Sequence, residues 1–155
     1  MNCLMKTALF LFIYALFFSS ECYAFNCKIA TTPVNFGSYD VFSGAVQEST
    51  GTITVDCKNP EQKPLSIIIS INKGSSGSFT PRQMTSTMGD RLSYYLFTDA
   101  ARTTIWGDGT GGSATVGGTI TKNATLNATI YGRIPAAQNV SVGAYSDVLT
   151  ATVIW

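Results

Sequence analysis

After residue 24, apolar and polar residues alternate along nearly the whole chain with a period of two, the repeat of a half-buried β-strand. "FNCKIA" puts Phe25, Cys27 and Ile29 on one face, and "TGTITVDCK" sets Ile53, Val55 and Cys57 against Thr52, Thr54 and Asp56. "PLSIIISIN" aligns Leu65, Ile67, Ile69 and Ile71; "RLSYYLF" aligns Leu92, Tyr94 and Leu96 opposite Ser93, Tyr95 and Phe97. The longest alternation, "TKNATLNATIYGRIP", points Ala124, Leu126, Ala128 and Ile130 one way and Asn123, Thr125, Asn127 and Thr129 the other. Clusters of Gly, Pro and Asn separate these runs, and none of them carries the helical period. About six or seven such segments at this spacing predict an all-β sandwich in a single domain.

The stretch "GAYSDVLTATVIW" poses a question of its own. Leu149, Ala151, Val153 and Trp155 share one face while Thr150 and Thr152 share the other, and the pattern runs to the last residue. An immunoglobulin-like sandwich places a seventh strand beside its sixth. If that closing strand is missing, an apolar groove and an unpaired backbone edge stay open, a liability unless another chain fills them. The other reading makes this strand central, with neighbours supplied from earlier in the chain.

The beginning of the chain sets the compartment. Lys6 precedes the apolar run Ala8 to Phe18, and "SSECYA" follows with Cys22 and Ala24 at the small-residue positions of a cleavage site. That run of about 11 residues is too short to span a bilayer as a helix, which takes ~20. The expectation is a signal peptide over 1–24, cleaved between Ala24 and Phe25, and a domain over 25–155 without a transmembrane segment. A lipoprotein anchor at Cys22 is disfavoured because Glu21 stands where a small residue is wanted. Export then gives Cys27 and Cys57 an oxidising environment, and both fall in phase with the apolar face of their strands. One disulfide is expected; a closed loop of about 30 residues gives roughly 3–4 kcal/mol in the chain-entropy model.

Charge and composition remove several function classes. Ten Lys plus Arg against nine Asp plus Glu leave +1, with no basic stripe to follow a nucleic acid. The chain has no histidine, so neither a Ser-His nor a Cys-His dyad can be built, and two cysteines alone do not complete a zinc shell. "GDGTGG" (residues 107–112) matches a dinucleotide-binding string, but strand-like "SATVGGTIT" follows where a helix is required. Asp99 and Asp108 fall short of a calcium-loop ligand ladder. No catalytic residues, cofactor or metal are expected. Tyr94, Tyr95, Tyr131 and above all Trp106, beside the glycine loop, are candidates for an exposed aromatic patch that binds sugars or surfaces.

Four stretches taken in order, "NFGSYD", "YLFTDAARTTIWGDGTGG", "IYGRIPAAQ" and "GAYSDVLTATVIW", together with Cys27 and Cys57, make the chain resemble the spore coat protein U domain family. That family includes the pilins of archaic chaperone–usher pili. The resemblance implies an incomplete immunoglobulin-like β-sandwich lacking its last strand and completed by donor-strand complementation. It implies as partners a periplasmic chaperone, an outer-membrane usher and a neighbouring pilus subunit that donates its N-terminal strand. Leu149, Ala151, Val153 and Trp155 become the expected groove and chaperone-contact residues, with the Trp155 carboxylate held by a basic chaperone residue. The implied location is the cell surface, reached through the periplasm. One departure stands out: cleavage after Ala24 leaves two residues before Cys27, a reach of about 7 Å. Such a subunit accepts a strand without giving one, as a tip or cap subunit would. A self-sufficient coat or matrix protein and a small carbohydrate-binding module are the alternatives.

Overall fold

The computed structural model describes residues 25–58 and 63–155. The expected signal peptide over 1–24, with Cys22 and Ala24, lies outside the described residues. Among the described residues nine strands follow one another: β1 (Asn26–Thr32), β2 (Gln47–Lys58), β3 (Leu65–Ile71), β4 (Arg82–Ser86), β5 (Arg91–Phe97), β6 (Val116–Ile120), β7 (Ala124–Ile134), β8 (Tyr145–Ser146) and β9 (Ala151–Ile154). Among the described residues the sole helical element is a single 3-10 turn over Gly74–Ser76.

Two sheets face each other. One has six strands in the order β1-β2-β7-β5-β4-β8, and the other has three in the order β6-β3-β9. The alternation explains the layering. Ile53, Val55 and Cys57 of β2, Leu92, Tyr94 and Leu96 of β5, and Ala128 and Ile130 of β7 project from the larger sheet. They meet Ile67, Ile69 and Ile71 of β3, all buried, each side chain contributing about 1.5–3 kcal/mol on leaving water. Cys27 and Cys57 sit directly opposite each other in the β1–β2 ladder and are joined as a disulfide.

This is the constant-type immunoglobulin arrangement, A-B-E-D against C-F-G, with β1-β2-β7-β5 as the first four and β3-β9 as C and F. Beside β9, where the last strand belongs, no strand is hydrogen-bonded among the described residues.

The pattern from Tyr145 to Trp155 reads as one strand in the sequence, and the fold divides it. β8 pairs with β4 in the larger sheet, and β9 pairs with β3 in the smaller one. The period of two survives the crossing: Tyr145, Asp147, Leu149, Ala151 and Val153 are all half-buried, and the residues between them are exposed.

A second crossing forms the opposite wall of the gap. After β1 the chain passes over the inner faces of Gly51 and Gly132. A Cβ on Gly51 would stand 2.6 Å from the Thr32 carbonyl oxygen, and one on Gly132 would stand 2.7 Å from both Val34 and Phe36. Gly51→Ala meets main chain and cannot be relieved by a rotamer change. It should destabilise the domain by about 1–3 kcal/mol, read as a lower urea midpoint.

Candidate functional site

The gap between β1 and β9 is an open groove with about 360 Å³ of free space. Thr31, Thr32, Pro33, Val34 and Phe36 form one wall; Tyr145, Asp147, Leu149 and Ala151 form the other. Ile53, Ile71, Leu96 and Ile130 from the core make the floor. A continuation lined by residues of 33–42 and 140–145 carries the groove on beyond Tyr145.

Hydrogen-bond parity shows what this gap offers. Asn72 N donates to Thr150 O at 3.0 Å, so these two are a hydrogen-bonded pair of the β3–β9 ladder. The next pair, Ile71 with Ala151, then faces away; Ile71 N indeed turns to Gly107 O at 3.1 Å. Alternation gives Thr152 and Ile154 to β3 and leaves the N–H and C=O of Ala151 and Val153 on the open edge. On the facing wall the Cα atoms of Cys27 and Cys57 are 4.1 Å apart, the spacing of a non-hydrogen-bonded pair. The main-chain groups of Cys27, Ile29 and Thr31 therefore also point into the gap. Two ladders with unsatisfied donors and acceptors thus border one apolar trough.

The side chains agree. Ile29 is the register partner of Val55, whose side chain is fully buried, and shares its inward face. Yet Ile29 remains 47% exposed, because no strand among the described residues covers β1 from the side of the smaller sheet. Leu149 and Ala151 line the groove, while Val153 packs against the core edge outside the lining. Trp155 is 50% exposed and closes one end of the gap, its ring 5.9 Å from that of Phe25.

One polar cluster interrupts this apolar surface, and sequence reading missed it. Tyr94 donates its hydroxyl to Asp147 Oδ2 at 2.6 Å, and Ser75 N donates to Asp147 Oδ1 at 3.0 Å. Gly74, at φ +65°, makes room for this carboxylate; any Cβ there would collide with Asp147 and Leu149. Beside Tyr94 in the β4–β5 ladder lies Arg82, wholly buried. Its Nε and Nη2 donate to Asn72 O at 3.1 and 2.9 Å, and Nη2 also to Trp106 O at 2.7 Å, while Nη1 has no partner. Burial lowers the Arg82 pKa from its ordinary value. Burial and the bond to Asp147 raise that of the Tyr94 hydroxyl, which stays protonated at any working pH. The available signal was phase: Arg82, Met84 and Ser86 alternate on the inward side of β4. Tyr94→Phe removes one donor from a half-buried carboxylate and should cost about 1–3 kcal/mol, measured as a fall in thermal midpoint.

The expected aromatic patch is corrected by burial. Trp106 is 0% exposed, its indole N–H donating to Ile69 O at 3.2 Å, so it is a core residue and not a surface-binding aromatic. Its ring offers the largest apolar area in the loop, and the sandwich interior claims it. Tyr94 is buried as well, whereas Tyr95 and Tyr131 stand half-buried on the outer face of the larger sheet. There Arg102 lies over the Tyr131 ring and forms an ion pair with Glu48, which Arg133 also joins. Asp99 and Asp108 cap their own loops, through Thr103 and Thr104 and through Thr110 respectively. Those bonds hold both carboxyls below the usual range.

The strands thus form an immunoglobulin-like sandwich of A-B-E-D and C-F, with no strand hydrogen-bonded beside F among the described residues. The sequence profile of the Spore Coat Protein U domain matches residues 13–152, and the chain belongs to that family. It is 29% identical over 128 residues to Protein U of Myxococcus xanthus, covering 77% of this chain and 70% of that protein. Among solved structures, it is similar to a chain in the CsuC–CsuE chaperone–tip adhesion subunit pre-assembly complex from archaic chaperone–usher Csu pili of Acinetobacter baumannii. The TM-score is 0.61 at 21% identity, and the match covers 85% of this chain and 40% of that one, a likeness of fold.

Proposed function

We propose that the protein is an exported structural subunit of a bacterial surface pilus of the archaic chaperone–usher type. A periplasmic chaperone would hold the groove occupied, and at the outer-membrane usher a neighbouring subunit's N-terminal strand would replace it. The observation that carries this reading is the pair of open edges, with Ala151 and Val153 on one and Cys27, Ile29 and Thr31 on the other, over apolar side chains that no strand among the described residues covers. An added strand supplies main-chain hydrogen bonds for affinity and alternate side chains for selectivity, the logic of β-augmentation. The fold shared with a chain from a chaperone–tip subunit complex supports the same partner. We further propose an accept-only tip or cap role: were the chain cleaved after Ala24, the two residues before Cys27 would not reach along the groove. Leu149, Ala151, Val153 and Trp155 are the proposed contact wall.

The test is periplasmic expression of the chain alone and beside its cognate chaperone. Aggregation or proteolysis alone, with a soluble one-to-one complex when paired, supports the reading. A soluble monomer that neither binds the chaperone nor gains stability from an added strand rejects it. That outcome would favour a self-sufficient coat protein, the reading that the name of the Spore Coat Protein U family brings forward.

A further inference from the structure

The groove's inward row along 145–153 reads Tyr, Asp, Leu, Ala, Val. Resting on the strand-accepting reading above, we propose that the resident strand, supplied by a neighbouring subunit, carries one neutral hydrogen-bond-donating side chain, such as Thr, Ser or Asn, at the inward position facing Asp147. Its other inward residues are apolar.

The argument is a count of donors and acceptors. An ionised carboxylate only accepts and has about four lone-pair positions. Asp147 uses one on the Tyr94 hydroxyl and one on Ser75 N. Tyr94 spends its only proton on Asp147, so its oxygen too can only accept toward the groove. Asp147 and Tyr94 both line the free space, so in the open groove solvent can reach the acceptor positions they have left. An inserted strand excludes that solvent. A strand that were apolar throughout would leave these acceptors stranded beneath it, and burying polar groups unpaired is unfavourable.

Charge decides which donor fits. Arg82, buried beside Tyr94, already opposes the Asp147 charge, and the neutral Tyr94 hydroxyl adds none. The cluster is balanced, so a lysine would bring an unmatched, desolvated cation and a glutamate a second carboxylate against the first. A hydroxyl or amide supplies the proton without the charge. The neighbouring subunit's strand is the one to which this applies most strictly, because it stays, whereas a chaperone's strand leaves.

The probes are synthetic peptides with alternating apolar residues, identical except for Val, Thr, Asn, Lys or Glu at the position facing Asp147. They are titrated against the chain freed from its chaperone. Thr and Asn peptides are expected to bind roughly tenfold tighter than the isosteric Val peptide, and Glu to bind weakest. In Asp147→Asn, which can both donate and accept, the preference for Thr over Val should shrink to about twofold or less. Binding of the whole series with Val equal to or tighter than Thr overturns this proposal and leaves the groove intact. Lysine binding tightest also overturns it, since the site would then behave as an uncompensated anion. If no peptide binds, the strand-accepting reading itself fails. Peptides copied from neighbouring subunits and from the chaperone strand separate the sources: tight, Asp147-dependent binding belongs to the former, and its appearance only with the latter rejects the assignment.

Discussion

Trp106→Ala should destabilise the domain by about 3–5 kcal/mol, a large share of the roughly 5–15 kcal/mol that holds a typical domain together. The side chain is fully enclosed, and its indole N–H is bonded to Ile69 O of β3. Deleting it opens a cavity between the sheets and takes a donor from the Ile69 carbonyl, while the Trp106 main-chain oxygen that accepts from Arg82 stays in place. Denaturant unfolding, followed by far-UV dichroism, measures the loss. A surface aromatic at this position would give a change within about 0.5 kcal/mol, and such a result would restore the patch that burial removes.

Removal of the disulfide is the second large effect. Cys27→Ser with Cys57→Ser should cost about 3–4 kcal/mol, because the bridge closes a loop across 30 residues of separation. Its consequence is local as well as global. β1 is an edge strand held by β2 alone, and the bridge pins its first residues while its inward Ile29 gains little from burial. The unbridged chain should therefore lose the β1 wall first. Reduction of the wild-type protein is expected to lower the thermal midpoint and to accelerate proteolysis within 25–46 before the rest of the domain unfolds. Equal protease resistance of the oxidised and reduced forms would contradict this.

Much of the architecture was legible because it depends on period. The runs ending at Cys57, Ile71, Phe97 and Ile134 read directly as β2, β3, β5 and β7, with their inward faces correctly assigned. The strands missed were short or held by partners far away. β4 hides a buried arginine in its inward phase, β6 is weakened by Gly117 and Gly118, and β8 is two residues long. None carries enough local pattern to outweigh its composition, and each exists because a neighbour offers a ladder. The single strand read from Tyr145 to Trp155 failed for a related reason. Periodicity reports which face a residue takes but not which sheet it pairs with, and the chain changes sheets at Asp147 without breaking phase.

The site was legible in the same partial way. Leu149 and Ala151 fell on the groove wall because alternation alone sets their direction. Nothing near Asp147 in the sequence singles it out, since its partners Tyr94 and Ser75 lie more than 50 positions away in the chain. Trp106 was misjudged because proximity to a glycine loop suggested exposure. A large ring next to a flexible segment is free to turn inward, and here Gly107 grants the close approach of Ser113 and Phe79 that seals it in.

The central claim is that β9 presents an unpaired edge that another strand completes. Amide hydrogen exchange, resolved residue by residue, tests it most directly. In the chain alone, Ala151 and Val153 should exchange fast while Thr152, bonded into the ladder with β3, stays protected. Addition of a complementing strand should protect Ala151 and Val153 and leave Thr152 as it was. Protection of Ala151 and Val153 in the isolated chain would mean that the edge is already paired, and the account of this protein as a strand acceptor would not survive it.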